Sequence, residues 1–218
     1  MGIEVASFFD LTQPVRNHMP IYPGDPEPRL QPAAGITAPW RVSVLHLGTH
    51  TGTHIDAPSH FFPNGKTIDQ YSPARFMLPG IVTPAVNLAE DESLFGEASY
   101  LSVVSPGSAV LIQTGWDRFW GTERYFRHPF LSPEMAQSLV DAGVGLVGID
   151  APSVDSSVRH TSHAHEILLG NDVLIVENLA RLTQLTPGRL YQFSFLPLLL
   201  SGLDGSPVRA IAWEQRDV

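Results

Sequence analysis

The chain has 218 residues, 43% of them hydrophobic and only 16% charged, which is enough apolar material for a substantial core in one large domain. Its formal net charge of -9 and its 13 scattered lysines and arginines exclude the basic patch a nucleic-acid binder needs to displace counterions from phosphates. With no cysteine there is no disulfide, no thiolate nucleophile and no cysteine-based zinc site, so any metal must be held by His, Asp or Glu.

The N-terminus carries no basic region followed by an apolar stretch, so no signal peptide is expected. Met1-Gly2 is followed at position 6 by Ala6, where a myristoylation signal takes Ser or Thr. The longest apolar run, 195–200, is too short to span a bilayer and contains Pro197. No membrane partner is expected, and the cytoplasm is the expected location.

Runs rich in Val, Ile and Leu, bounded by Gly, Pro or Asp, predict strands at 41–47, 80–88, 109–114, 145–149, 173–177, 191–196 and 208–213. One helix is well signalled. Ser132 is its N-cap, Pro133 takes the first helical position, Glu134 complements the dipole and Gly143 follows the end. Met135, Leu139 and Ala142 then share a face. Strand 109–114, this helix and strand 145–149 predict a crossover between parallel strands. No repeat, low-complexity segment or linker marks a boundary. The expectation is a single α/β domain over 1–218, with more strand than helix.

The stretch that carries chemistry is His50-Thr51-Gly52-Thr53-His54-Ile55-Asp56-Ala57-Pro58-Ser59-His60. A helix would put His50 and His54 on one face, but the β-branched threonines, Gly48, Gly52 and Pro58 argue against one. A straight strand would hold His50 and His54 roughly 13 Å apart at ~3.3 Å per residue, too far to share an ion. The chain must therefore curl, with Gly48 and Gly52 placed to allow it. His54 and Asp56 can converge directly, and Pro58 turns the chain so that His60 can return. Imidazole and carboxylate donors suit zinc or manganese. Three protein ligands plus open positions for water make the catalytic pattern of metal site, in which a bound water becomes acidic enough to attack. His60 has the intrinsic pKa of a proton shuttle.

A second cluster comprises Asp150, Asp155, His160, His163, His165, Glu166 and Glu177. Glu177 closes an apolar strand, so it either has a buried partner or is the first solvated residue after the strand. His160 and His163 could equally lie at the surface.

The central motif resembles the signature of the cyclase-like metal hydrolases, the family of bacterial kynurenine formamidase and isatin hydrolase. The resemblance covers nearly the whole chain. Asp10-Leu11-Thr12 and the stretch from Met19 to Pro26 are similar to the family's opening. Asp150, Asp155 and the segment from His165 to Gly170 are similar to its second metal region, and Val173 to Leu179 to its closing metal strand. The resemblance implies that His50, His54 and Asp56 hold one metal. Asp56 and Glu177 would bridge to a second ion completed by His165, and His60 would transfer protons. It further implies a swivelling β/β/α arrangement, one or two zinc ions with manganese as the alternative, and a homodimer or larger homo-oligomer. Kynurenine formamidases tend to carry Trp where this chain has Tyr22, in a loop implied to contact an aromatic substrate; Tyr22 can still stack on a ring.

The leading expectation is a metal-dependent amidohydrolase acting on a small aromatic amide. N-formylkynurenine is the first substrate, which would place the chain in tryptophan catabolism. A lactam or lactone ring hydrolase is the second reading. A metal-dependent binding protein without turnover is the third, which His60 argues against, since a metal store has no use for a proton shuttle.

Overall fold

The computed structural model describes residues 7–85, 87–95 and 104–214. The Met1, Gly2 and Ala6 comparison, position 86 of the expected strand 80–88, and the outer parts of the expected 1–218 domain lie outside them.

Among the described residues, thirteen strands and two α-helices follow in chain order: β1 (Phe8–Asp10), β2 (Arg29–Pro32), β3 (Ser43–His46), β4 (His54–Asp56), β5 (Met77–Pro84), β6 (Ser93–Leu94), β7 (Ala109–Gln113), β8 (Phe130–Leu131), α1 (Pro133–Asp141), β9 (Leu146–Ile149), α2 (His163–Gly170), β10 (Leu174–Glu177), β11 (Tyr191–Ser194), β12 (Gly205–Pro207) and β13 (Ile211–Trp213). Nine strands form one mixed sheet in the order β1-β13-β11-β5-β7-β9-β10-β4-β12. Its centre, β5-β7-β9-β10, is parallel, and antiparallel strands extend it on both sides. The α/β expectation holds, with far more strand than helix.

The central strands read as unbroken apolar runs because both faces are covered. On β7, Ala109 and Leu111 join one core while Val110 and Ile112 join the other. The first core also takes Ile55 from β4 and Phe193 and Ala212 from β11 and β13, so the sheet curls around it. The second lies beneath α1 and α2, through Met135, Ala136 and Leu139 of α1 and Ala164, Leu168 and Leu169 of α2.

The predicted crossover is present, with β7 and β9 parallel neighbours joined through α1. Ser132 Oγ accepts the backbone N–H of Met135 at 3.1 Å, as its N-cap role requires. The expected strand 41–47 forms only as β3, which pairs with β2 in a separate exposed hairpin. The expected strand 80–88 is displaced toward the N-terminus as β5, and 208–213 shrinks to β13. Helix α2, the edge strands β1 and β12 and the short pair β6 and β8 were not anticipated; three or two residues carry no readable period. Among the described residues, no helix is long and apolar enough to cross a membrane.

Candidate metal centre

Strand register builds this site. β10 pairs with β4 so that Glu177 lies opposite His54 and Ile175 opposite Asp56. Residues facing each other across a pair share a face of the sheet, so His54, Asp56 and Glu177 all project toward the helix side. All three are buried. His50 precedes the strand in a turn, and Gly52 bends the chain between them with φ of +67°. Gly48 has no such conformation but opens the turn, its carbonyl accepting Thr51 N at 3.2 Å. The rings of His50 and His54 come to 4.9 Å between centroids, and a short 3-10 turn, Pro58–His60, brings His60 to 4.0 Å from His50. His165 arrives from the first turn of α2.

Two ligand atoms each about 2 Å from a shared ion lie roughly 3 Å apart. Asp56 Oδ1 is 2.8 Å from His50 Nδ1 and 3.3 Å from His54 Nε2, and His54 Nε2 is 3.5 Å from Glu177 Oε2. On the other side His165 Nε2 is 3.5 Å from Glu177 Oε1 and 3.8 Å from Asp56 Oδ2. Each carboxylate thus offers one oxygen to either side. Asp56 Oδ2 is buried with no hydrogen-bond partner, a costly state for an acidic oxygen that a cation would relieve. The donors of His54, Asp56 and Glu177 lie within 4.8 Å of one another, as do those of His50, Asp56 and His60. The residues present therefore fit one or two divalent ions, and His60 lies within reach as a further ligand.

Hydrogen bonds fix the rings from behind. His54 donates through Nδ1 to Gly52 O at 2.8 Å, which leaves Nε2 as the nitrogen that could ligate a metal. Asn178 donates to the same carbonyl, and Tyr125 OH donates to Asn178 Oδ1. His165 Nδ1 faces Asp155 Oδ2 at 2.8 Å, and Asp155 also accepts the backbone N–H groups of Ala164 and His165 at the start of α2.

The charge balance has the same sense. Burial opposes protonation of His50, but Asp56 and Asp204 outweigh it and raise its pKa to about 9. Burial likewise opposes charge on His165, and Asp155, Asp56 and Glu177 raise it to about 10. Burial would lift Asp56, yet His54 and His50 hold it well below the usual carboxylate range. Without a metal, protons supply the positive charge these carboxylates require, and a metal would displace them.

A cavity of about 510 Å³ opens onto these rings. Tyr22, Phe61, Trp120 and Phe126 line its wall, with Tyr22 edge-on to Phe126 at 6.4 Å. His60 stands at the rim with its side chain 34% exposed. Of the second cluster, His165, Glu177 and Asp155 join the site. Glu177 takes the buried alternative of the two open for it, and Val154 N donates to it at 2.9 Å. His160 and Glu166 are exposed, and His163 bonds Leu131 O. Asp150 accepts from Thr114 and Gly115 and serves the turn after β7. The sequence singles out neither the aromatic wall of Phe61, Trp120 and Phe126, nor Tyr125, nor Asp204, an acid in a glycine-rich loop with no motif around it.

The family described as "Putative cyclase" matches residues 9–156, more than half of the chain. The chain belongs to the cyclase family. It is 32% identical to a kynurenine formamidase of Geobacillus thermodenitrificans (strain NG80-2) over 93% of this chain and 95% of that protein. It is 31% identical to one of Salinibacter ruber (strain DSM 13855 / M31) over 97% and 99%. A solved structure described as a potential metal-dependent hydrolase with cyclase activity superposes with a TM-score of 0.81 at 26% identity, covering 98% of this chain and 100% of that one. Isatin hydrolase A from Labrenzia aggregata, bound to benzyl benzoate, gives 0.83 at 24% identity, covering 95% and 93%, a likeness of fold.

Proposed function

We propose that this chain hydrolyses the carbonyl–nitrogen bond of a small N-aryl formamide, N-formylkynurenine first among them, in tryptophan catabolism. That it is a metal-dependent amide hydrolase follows from the family and its relatives; the substrate and the residue roles are our reading. The observation that supports it is the buried Asp56 carboxylate, whose Oδ1 faces His50 and His54 while its unpartnered Oδ2 faces His165. In this reading His50, His54 and Asp56 hold one ion, and Asp56, Glu177 and His165 a second. Zinc is the first choice for these donors and manganese the alternative. A divalent cation held there supplies a Lewis acid for the carbonyl oxygen and acidifies the attacking water.

The chain's own groups do the rest. Tyr22, Phe61, Trp120 and Phe126 clasp an aromatic ring and aim its amide at the rings of the centre. His60, at the rim with Nδ1 3.4 Å from Asp204 Oδ2, takes a proton from the attacking water and returns it to the leaving amine, a poor leaving group unless protonated. We further assign the whole of 1–218 to one domain, a homodimer as the assembly and the cytoplasm as the location.

The test is metal analysis of the protein purified without added metal, followed by kinetics on N-formylkynurenine, formanilide, isatin and dihydrocoumarin with Zn²⁺ or Mn²⁺. The formamides are expected to give the highest kcat/KM. Preference for the cyclic substrates would select the ring-hydrolase reading, which the fold likeness to isatin hydrolase favours second. Metal uptake with no turnover on any of them would leave a binding protein.

A further inference from the structure

We propose that Asp204 is a positioning residue of the metal centre: its carboxylate accepts the Nε2–H of His50 and so turns the Nδ1 lone pair of that ring toward Asp56. The inference rests on the metal-holding reading above. A neutral imidazole has one N–H and one lone pair, and whichever nitrogen donates leaves the other to ligate. His50 has a carboxylate at each end, Asp56 Oδ1 at 2.8 Å from Nδ1 and Asp204 Oδ2 at 2.8 Å from Nε2. Asp56 Oδ1 is also 3.3 Å from His54 Nε2, so the Nδ1 end faces the ligand cluster and the Nε2 end faces outward. Asp204 bonds the end of His50 opposite Asp56, so it acts on the ligand cluster through that ring.

The backbone seats this carboxylate. Ala57 N donates to Asp204 O at 2.8 Å, and β12 pairs with β4 so that Gly205 lies opposite Asp56. A Cβ on Gly205 would stand 2.7 Å from Ile55 O and 3.1 Å from His50 Cε1. Only glycine lets the strand lie so close against the ring, and that closeness delivers Asp204 to Nε2. The same Oδ2 is 3.4 Å from His60 Nδ1, so one carboxylate orients both a ligand ring and the proton-carrying ring beside it.

The experiment titrates Zn²⁺ alone into metal-free protein against a chromophoric chelator, with Co²⁺ absorption as a spectroscopic check on the ligand field. Losing the partner of a ligating histidine costs about 10- to 100-fold in metal affinity. Asp204→Ala is expected in that range, with an altered Co²⁺ spectrum. Asp204→Asn keeps an acceptor oxygen and is expected near the lower end, about tenfold; it decides the matter if the alanine variant does not fold. Asp69→Asn is the control, since Asp69 ties down the same loop through Ser201 Oγ and Gly202 N at 3.1 Å each. It should leave Zn²⁺ affinity unchanged. Zn²⁺ affinity in a folded Asp204 variant equal to that of the unaltered chain overturns the proposal, as does an equal loss in Asp69→Asn, which would make the effect one of loop placement. An unaltered chain that takes up no Zn²⁺ would sink the metal-holding reading as well.

Discussion

Replacing Asp56 by Asn keeps the volume of the side chain and removes one buried charge. In the metal-free protein that charge is the largest of the attractions opposing burial at both His50 and His54. Removing one member of a buried ionic pair costs about 3–5 kcal/mol, and the low end applies because the rings can shed their protons. For a chain of this size each kcal/mol is worth about 2–4 °C, so the metal-free variant should melt roughly 6–12 °C lower at neutral pH. The pH profile sharpens the test. His50 and His165 have folded pKa values of about 9 and about 10, above the ordinary 6.5. Their stabilisation is therefore fully present below pH 6.5 and lost as pH rises through 9 to 10. The unaltered metal-free chain should weaken over that window, and Asp56→Asn should show a flatter profile. With metal supplied, the variant should lose both ions, because Asp56 offers an oxygen to each side of the site. Thermal unfolding in chelator from pH 6 to 10 and elemental analysis of the loaded protein measure these effects. A variant with full metal content and an unchanged melting profile would refute the reasoning.

Three further outcomes are expected. His60→Ala should keep its metal and lose about 10²- to 10⁴-fold in kcat on an amide, with a smaller loss on an activated ester; metal content falling in step with activity would make His60 a ligand. Tyr22→Ala should raise KM for an aromatic amide more than it lowers kcat, since a stacking wall binds ground and transition states alike; a collapse of kcat at constant KM would show a different role. Burial, against weaker attractions, holds His128 neutral with a pKa of about 4. The unfolded chain therefore binds the extra proton between pH 6.5 and 4, and stability falls by up to about 3 kcal/mol as pH drops through that window. Urea unfolding of the unaltered chain and His128→Gln across it should show the smaller acid dependence in the variant.

What the sequence determined by itself is the part written in local chemistry. Ser132, Pro133 and Gly143 specify where α1 begins and ends, because caps act on neighbouring backbone groups. The apolar runs from 109 and 173 specify buried parallel strands. The spacing of His50, His54, Asp56 and His60 specifies a curled segment of metal donors, since no helix or straight strand could use them together. Tertiary structure decided what lies far apart in the chain. Whether Glu177 met solvent or a partner depended on the register of β10 against β4, which no local pattern encodes. His165 reached the site because Asp155 caps the start of α2. Asp204 met His50 across 154 residues because β12 pairs with β4 and Gly205 permits the approach. A lone acid in a loop carries no signal of its own. Its role comes from the ring that folding places against it.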